Sequence, residues 1–185
     1  MPSEPPYRVW KLRFHLAMQD PDTTGIRYHT SIFVETGGAD DHADGAGTGA
    51  GRGVVFHVVG DVTAGMTYET KHTDPPEETE NFYAKTLLGH AAAGTFPTQW
   101  NLLLRGIPPP GKQKAFNPAT MRTEPVKSWG RDGDWGHSEP AFYAPSEQRP
   151  PLFKCTEWTE QRALPALVAA GLLVPCNTEE VTVCA

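Results

Sequence analysis

Residues 54–60 read Val54-Val55-Phe56-His57-Val58-Val59-Gly60 and are apolar on both faces of an extended chain. β-branched and aromatic residues favour strands, and a run with two apolar faces is typical of a strand inside a sheet. We therefore predict a central strand here, with His57 buried in it. A buried imidazole needs hydrogen-bond partners, so His57 is either a core histidine bonded to a backbone carbonyl or part of a functional site.

Further strands are predicted before and after this one. Residues 7–16 alternate apolar with basic side chains, which indicates a strand with one solvated face. Residues 28–35 read Tyr28-His29-Thr30-Ser31-Ile32-Phe33-Val34-Glu35 and are rich in β-branched and aromatic types. Residues 66–71 fit a fourth strand.

His29 is the second candidate site residue, and it lies near the start of 28–35. If this strand pairs with 54–60 as a hairpin, the imidazoles of His29 and His57 stand on one face within reach of each other. The sequence therefore predicts a pair of histidines on one face of the sheet.

Helices are predicted for two segments. Residues 77–89 begin with acidic side chains, contain apolar residues and end at Gly89. Residues 156–173 carry apolar side chains three and four apart, and Pro165 is expected to kink this helix or divide it in two. Residues 100–104 fit a strand. Together these elements predict an α+β fold in which a small antiparallel sheet packs on a helix.

Glycine and proline mark where the connections are long. The 185 residues include 18 of each, which indicates a folded but loop-rich chain, and the length suits a single domain over residues 1–185. Residues 36–53 are mostly Gly, Ala and Asp and are predicted to be a flexible insert between two strands. Residues 105–150 are predicted to be a Gly/Pro-rich, loop-rich segment held in place by aromatic side chains.

Charge, hydropathy and cysteine content limit which binding partners and which cellular compartment we expect. A net charge of −6 argues against nonspecific binding to nucleic acid or to an anionic membrane. No apolar run approaches the roughly 20 residues that span a bilayer, and the N-terminus lacks the features of a secretory signal. The odd set Cys155, Cys176 and Cys184 disfavours a disulfide scaffold, so we expect a cytoplasmic protein. Cys176 and Cys184 are expected in a frayed tail, with a resolving or disulfide pair as the alternative.

Cys155 is the third candidate site residue. It opens the predicted second helix, directly after Lys154, and both the positive end of a helix dipole and a neighbouring cation favour the nucleophilic thiolate. Glu157 and Glu160 oppose this unless they point away. A lone cysteine also packs as a small apolar side chain, so a structural and a catalytic role both stay open.

Three short stretches carry a resemblance to known thiol enzymes. Residues 28–34 are similar to the W-H-T-S-I-V-V strand of the PPPDE thiol peptidases, the desumoylating isopeptidase family. Residues 152–158 resemble that family's cysteine motif at a helix start, although Lys154 stands where Asn is usual. Residues 54–58 are similar to the second-histidine strand of the lecithin retinol acyltransferase family. Both families belong to the permuted NlpC/P60, papain-like superfamily, in which histidine precedes cysteine in the chain.

The resemblance implies a permuted papain-like fold and cysteine-dependent chemistry. Cys155 would attack an acyl carbon, His29 would accept and return the proton, and His57 would orient or polarise His29. The implied reaction is hydrolysis or acyl transfer at an amide, isopeptide, ester or thioester, through a thioester intermediate. The expected substrate is a small molecule or an acyl or peptidyl group, and neither a cofactor nor a metal ion is expected.

Two other functions stay open from the sequence. The same fold can serve as a non-catalytic binding module, with His57 merely buried and Cys155 merely packed. The thiol and histidines can also run non-hydrolytic chemistry on a small molecule, such as a cyclisation or a conjugate addition, in a pocket walled by the aromatic residues of 96–143. The separation between the Cys155 sulfur and the His29 ring distinguishes a catalytic pair from a binding module.

Overall fold

The computed structural model describes residues 5–19, 25–37, 51–130 and 139–176, together with the backbone of 182–184. In these ranges strands dominate, paired strands are antiparallel and the helices are short. The predicted α+β class with an antiparallel sheet is therefore confirmed.

Ten strands lie in the described ranges and form two sheets. They are β1 (Tyr7–His15), β2 (Tyr28–Glu35), β3 (Gly53–Asp61), β4 (Gly65–Thr73), β5 (Phe82–Ala91), β6 (Lys114–Asn117), β7 (Arg122–Trp129), β8 (Pro140–Phe142), β9 (Leu173–Pro175) and β10 (Thr182–Cys184). The main sheet has seven strands in the order β10-β5-β1-β2-β3-β4, and β9 also pairs with β5. The smaller sheet has the order β6-β7-β8.

The helical segments are short. They are α1 (Thr98–Arg105), α2 (Cys155–Trp158), α3 (Leu164–Ala169), two 3₁₀ turns at Pro76–Glu78 and Ala93–Thr95, and a π-helical turn at Thr159–Ala163 that joins α2 to α3. Within the described ranges, no helix has the length and apolar character that a membrane crossing requires.

The main sheet buries apolar side chains on both faces, as the alternation of a strand requires. One face packs on α1, α2 and α3 through buried residues of sheet and helices, among them Val9, Ile32, Val34, Phe56, Trp100, Leu104, Trp158 and Leu167. The other face holds a smaller cluster of Trp10, Leu12, Phe33, Val55 and Phe82. The central strand predicted at 54–60 is confirmed as β3, which lies between β2 and β4.

The helix predicted at 77–89 is wrong, because this segment contains a 3₁₀ turn followed by β5. Alternate residues of β5 are buried from Phe82 to Thr86, which is the period of a strand. An irregularity in the pairing with β1 leaves Leu88 without a partner and disrupts that period. Gly89 is not a helix stop: its φ is +154°, and a Cβ there would collide with the Val174 carbonyl of β9.

The strand predicted at 100–104 is also wrong, because the residues belong to α1. Trp100 and Leu104 are fully buried one helical turn apart, which is the spacing of a helix face. The helix predicted at 156–173 is continuous from Cys155 to Ala169 and contains a π-helical turn at Thr159–Ala163, just ahead of Pro165, which lies in the first turn of α3. It ends earlier than predicted, since Leu173 begins β9.

Two segments predicted to be loop-rich are partly described. Of the insert 36–53, residues 38–50 lie outside the described residues, while backbone bonds from 36 and 37 to the Arg52 carbonyl close the β2–β3 hairpin at its base. The segment 105–150 contains β6, β7 and β8, and its residues 131–138 lie outside the described residues.

Candidate active site

His29 and His57 are in direct contact. β2 and β3 form an antiparallel pair in which Ile32 lies opposite Phe56. The next step of this register places His57 opposite Ser31, on the face that also carries His29. His29 Nε2 lies 2.9 Å from His57 Nδ1. The prediction that a hairpin brings the two imidazoles together on one face is therefore confirmed.

Burial keeps both imidazoles neutral at neutral pH. Burial, with smaller contributions from the charges of His57 and Lys71, lowers the pKa of His29 from 6.5 to about 4. Burial and Lys71 also lower the pKa of His57, although Glu69 acts in the opposite direction. A neutral imidazole has one N–H donor and one bare acceptor nitrogen. One ring of the pair therefore donates while the other accepts, so the two tautomers are linked.

Cys155 is the first residue of α2 and is buried against β2. Its Sγ donates to the Tyr28 carbonyl at 3.9 Å, one residue before His29. The next helix residue is also bonded to this strand, with Thr156 Oγ1 2.9 Å from Thr30 Oγ1. These contacts place the thiol at the His29 end of β2. Within the described residues, no hydrogen bond joins Sγ to either imidazole.

The acidic residues that follow Cys155 are paired with cations. Arg27 Nη2 donates to both carboxylate oxygens of Glu157, at 2.6 and 2.7 Å. Lys11 Nζ donates to Glu160 Oε1 at 3.1 Å. Burial raises the pKa of Glu157, but hydrogen bonds from Arg27 and from the backbone outweigh it, and the pKa falls below its ordinary value. The negative charges that the sequence places close to the thiol are thus compensated by cations from outside the helix.

Two sets of contacts hold the chain just ahead of Cys155. The Lys154 N–H donates to Glu157 Oε2 at 2.9 Å, an arrangement that stabilises the start of a helix. Gln113 exchanges two hydrogen bonds with Phe153: the Phe153 N–H donates to Oε1 at 2.7 Å, and Nε2 donates to the Phe153 carbonyl at 2.6 Å. The segment that delivers the thiol is therefore anchored both to its own helix and to the loop before β6.

Cys155 and His29 line one cavity of about 370 Å³. The β3–β4 hairpin supplies much of the remaining wall, including the apolar side chains of Val58, Val62 and Met66. None of the described lining residues comes from 96–143, so the described part of that segment does not supply the expected aromatic wall. The cavity is mainly apolar, and its polar lining residues include His29, Cys155, Asp61 and Lys154.

A comparison with protein-family models covers all three candidate site residues. Residues 16–174 match the model of a family described as a family of unknown function (DUF6540), and this range includes His29, His57 and Cys155. The chain belongs to the DUF6540 family. No curated protein and no solved structure matches the chain.

Glu69 and Gln113 of this DUF6540 protein contact the site, although the sequence did not point to either residue. Glu69 contacts His57, and Gln113 contacts Phe153 ahead of the thiol. Glu69 lies on β4 directly opposite His57, with Oε1 3.5 Å from His57 Nε2. A signal for it exists, since a three-residue turn between β3 and β4 sets a register that pairs residues 57 and 69. Gln113 has no comparable signal, because its partner Phe153 is 40 residues away along the chain.

Backbone contacts with β5, rather than a frayed tail, are described at the other two cysteine positions of this DUF6540 protein. The Cys176 N–H donates to the Leu88 carbonyl of β5, and its Sγ lies 3.9 Å from His90 Nδ1. The backbone of β10 places Cys184 opposite Ala84 of the same strand. Positions 84 and 88 are about 13 Å apart along a strand, well beyond the Cα separation of a disulfide. The register therefore contradicts a Cys176–Cys184 disulfide.

Proposed function

We propose that this protein is a cysteine-dependent hydrolase or acyltransferase that acts on an acyl or peptidyl substrate through a thioester intermediate on Cys155. The observation that carries the proposal is the shared cavity. The Cys155 thiol and the His29 imidazole line the same space, and His57 hydrogen-bonds His29. A nucleophile, a base and a group that orients the base are the parts of a covalent catalytic site.

The proposed reaction has two steps. In the first, the Cys155 proton passes to His29 as the sulfur bonds to the substrate carbonyl carbon, and the leaving group departs with that proton. In the second, water or an acceptor alcohol or amine gives a proton to His29 and attacks the thioester carbon. The sulfur then leaves and recovers the proton from His29. The thiol and the imidazole return to their starting states, and only the substrate and the second nucleophile are consumed.

His29 is neutral in the resting site, which is the state that a general base requires, while its lowered pKa also makes it a weaker base. Because burial lowers its pKa to about 4, the resting ring is a neutral imidazole that can accept a proton at neutral pH. The thiol in turn donates to the Tyr28 carbonyl, so the proposed first step begins with a rotation of the Cys155 side chain towards the His29 ring. Tyr28 and His29 are neighbours on β2, which keeps this movement local.

The start of α2 supplies a candidate donor for the oxyanion. The first N–H groups of a helix have no acceptor within the helix, and Cys155 is the first residue of α2. We assign its backbone N–H to the substrate oxygen that becomes negative during attack. The bond from Lys154 N–H to Glu157 holds the adjoining peptide and so supports this geometry.

The papain-like resemblance of the sequence supports the proposal through the order of the three residues. The order His29, His57, Cys155 is that of the permuted superfamily, and the cysteine opens a helix that packs against the first histidine strand. The apolar walls from Val58 and Met66 suit an apolar acyl group or side chain beside the bond that is cleaved. These features support the proposed activity together with the cavity.

Turnover by wild type and by Cys155→Ala tests the proposal. A panel of activated esters, thioesters and peptide amides is incubated with each protein, and both product and intact protein mass are measured. We expect product from wild type, and an acyl adduct that is absent from Cys155→Ala. Cys176→Ala is the matched control, because Cys176 also contacts a histidine but is not among the described residues of the cavity wall, and it is expected to keep both signals. Equal turnover by wild type and Cys155→Ala would contradict the proposal.

A further inference from the structure

We infer that Glu69 is a positioning residue for this site: it accepts the Nε2 proton of His57 and thereby determines which nitrogen of His29 is left to take the Cys155 proton. This inference rests on the proposed function. It extends the site from three residues to a chain of four that runs from the cavity to the edge strand of the sheet.

The geometry of β3 and β4 carries the inference. Glu69 is the direct cross-strand partner of His57, and its Oε1 lies 3.5 Å from His57 Nε2. That nitrogen is buried and, among the described residues, makes no hydrogen bond of normal length. The Glu69 side chain is 45% exposed on the edge strand, so a small rotation of its carboxylate closes the contact. A carboxylate oxygen this close to a buried polar nitrogen favours protonation of that nitrogen.

The consequence for His29 follows from the hydrogen-bonding capacity of neutral imidazoles. A carboxylate only accepts, so a bond to Glu69 places the His57 proton on Nε2 and leaves Nδ1 bare. The bare His57 Nδ1 then accepts from His29 Nε2, across their 2.9 Å contact. The remaining nitrogen, His29 Nδ1, is left without a proton and is the base that the mechanism needs. With the opposite order, His29 Nδ1 carries the proton and the base is lost.

Lys71 supplies a contrasting charge on the same strand. It lies two residues from Glu69, on the same face of β4. Lys71 lowers the pKa of both histidines, whereas Glu69 raises the pKa of His57. Lys71 and Glu69 from β4 shift the pKa of His57, and His29 from β2 shares a hydrogen bond with it. Removing Lys71 therefore changes the local charge without removing the acceptor.

Imidazole ¹⁵N spectroscopy tests the inference independently of turnover. Long-range ¹H–¹⁵N correlation spectra of the labelled protein at pH 7 distinguish protonated from bare ring nitrogens. We expect protons on Nε2 of both His29 and His57 in wild type and in Lys71→Gln, and an additional Nδ1-protonated form of both in Glu69→Ala. A wild-type His57 with its proton on Nδ1 would overturn the inference whatever the variants do. So would a Glu69→Ala spectrum identical to wild type.

The rate at which iodoacetamide alkylates Cys155 links the tautomers to the thiol. We expect Glu69→Ala to slow this rate about tenfold, because part of the His29 population would then have its base nitrogen protonated. Lys71→Gln is expected not to slow it. An unchanged rate in Glu69→Ala alongside a changed tautomer would overturn the positioning role. Failure of the proposed function gives a different result from failure of this inference. If His29 does not activate the thiol, His29→Gln leaves the Cys155 alkylation rate unchanged, while the ¹⁵N spectra of wild type and Glu69→Ala still report the tautomers.

Discussion

His29 Nε2 and His57 Nδ1 lie 2.9 Å apart, in a contact that joins the start of strand β2 to the middle of strand β3. The contact forms because the hairpin register places both side chains on one face. The neutral state of the two buried rings makes them a linked donor and acceptor. Stability, reactivity and pH dependence of the protein are therefore expected to depend on the same pair.

The first prediction concerns stability against pH. The pKa of His29 is about 4 in the folded protein and 6.5 when exposed, so the unfolded chain binds more protons between these values. Stability that is fully present above pH 6.5 is therefore lost as pH falls towards 4. We expect the free energy of unfolding in urea to fall by about 2 kcal/mol between pH 7 and pH 5 through His29 alone. The lowered pKa of His57 acts in the same direction.

His29→Gln is the control for this pH dependence, since glutamine does not titrate. The variant is expected to lose a smaller part of its unfolding free energy over the same pH interval. Identical losses in wild type and His29→Gln would show that His29 is not the titrating group.

The second prediction concerns the hairpin register. A Cβ on Gly53 would collide with the Val34 carbonyl and the Phe33 ring, whereas one on Gly94 meets nothing within 4 Å. We expect Gly53→Ala to lower the free energy of unfolding by more than about 2 kcal/mol and Gly94→Ala to change it little. Urea unfolding of both variants checks this, and similar stabilities would contradict the described packing of β2 on β3.

The third prediction concerns the helix that carries the thiol. Glu157 accepts two bonds from Arg27 and one from the Lys154 N–H, so Glu157→Ala removes both a tether and a helix-start contact. We expect a loss of about 1–2 kcal/mol in the free energy of unfolding. Glu160→Ala is the matched control, because it breaks one ion pair of a half-exposed side chain and is expected to cost about 0–1 kcal/mol. Equal costs for the two variants in urea unfolding would argue against a special role for Glu157.

The fourth prediction concerns the C-terminal cysteines. The register on β5 keeps Cys176 and Cys184 about 13 Å apart along the strand. Mass spectrometry of the non-reduced protein digested at low pH is expected to show no Cys176–Cys184 disulfide. A cross-linked peptide in protein purified without oxidant would mean that β9 and β10 pair differently.

The parts of the site that lie close together in the chain could be predicted from the sequence. The His29 and His57 strands form a hairpin, so alternation alone places both side chains on one face. The position of Cys155 at a helix start is likewise local. The contacts that compensate and anchor the thiol are different, because Arg27 and Glu157 are 130 residues apart and no local pattern encodes their meeting.

The errors in the fold have local physical causes. In β5 the unpaired Leu88 breaks the strand period, while the acidic residues ahead of the strand are also typical of a helix start. In α1 the apolar run around Trp100 is too short for its period to distinguish a helix from a strand. In both segments, packing of the side chains against the rest of the core determines whether the chain forms a strand or a helix.

The most direct test of the account is the rate at which iodoacetamide alkylates Cys155 at pH 7, followed by peptide mass spectrometry in wild type, His29→Gln and His90→Gln. The account predicts that His29→Gln slows Cys155 at least about tenfold, because the base that takes the thiol proton is gone. His90→Gln removes the imidazole beside Cys176 and is expected to leave the Cys155 rate unchanged. Equal Cys155 rates in wild type and His29→Gln would contradict the claim that His29 activates this thiol.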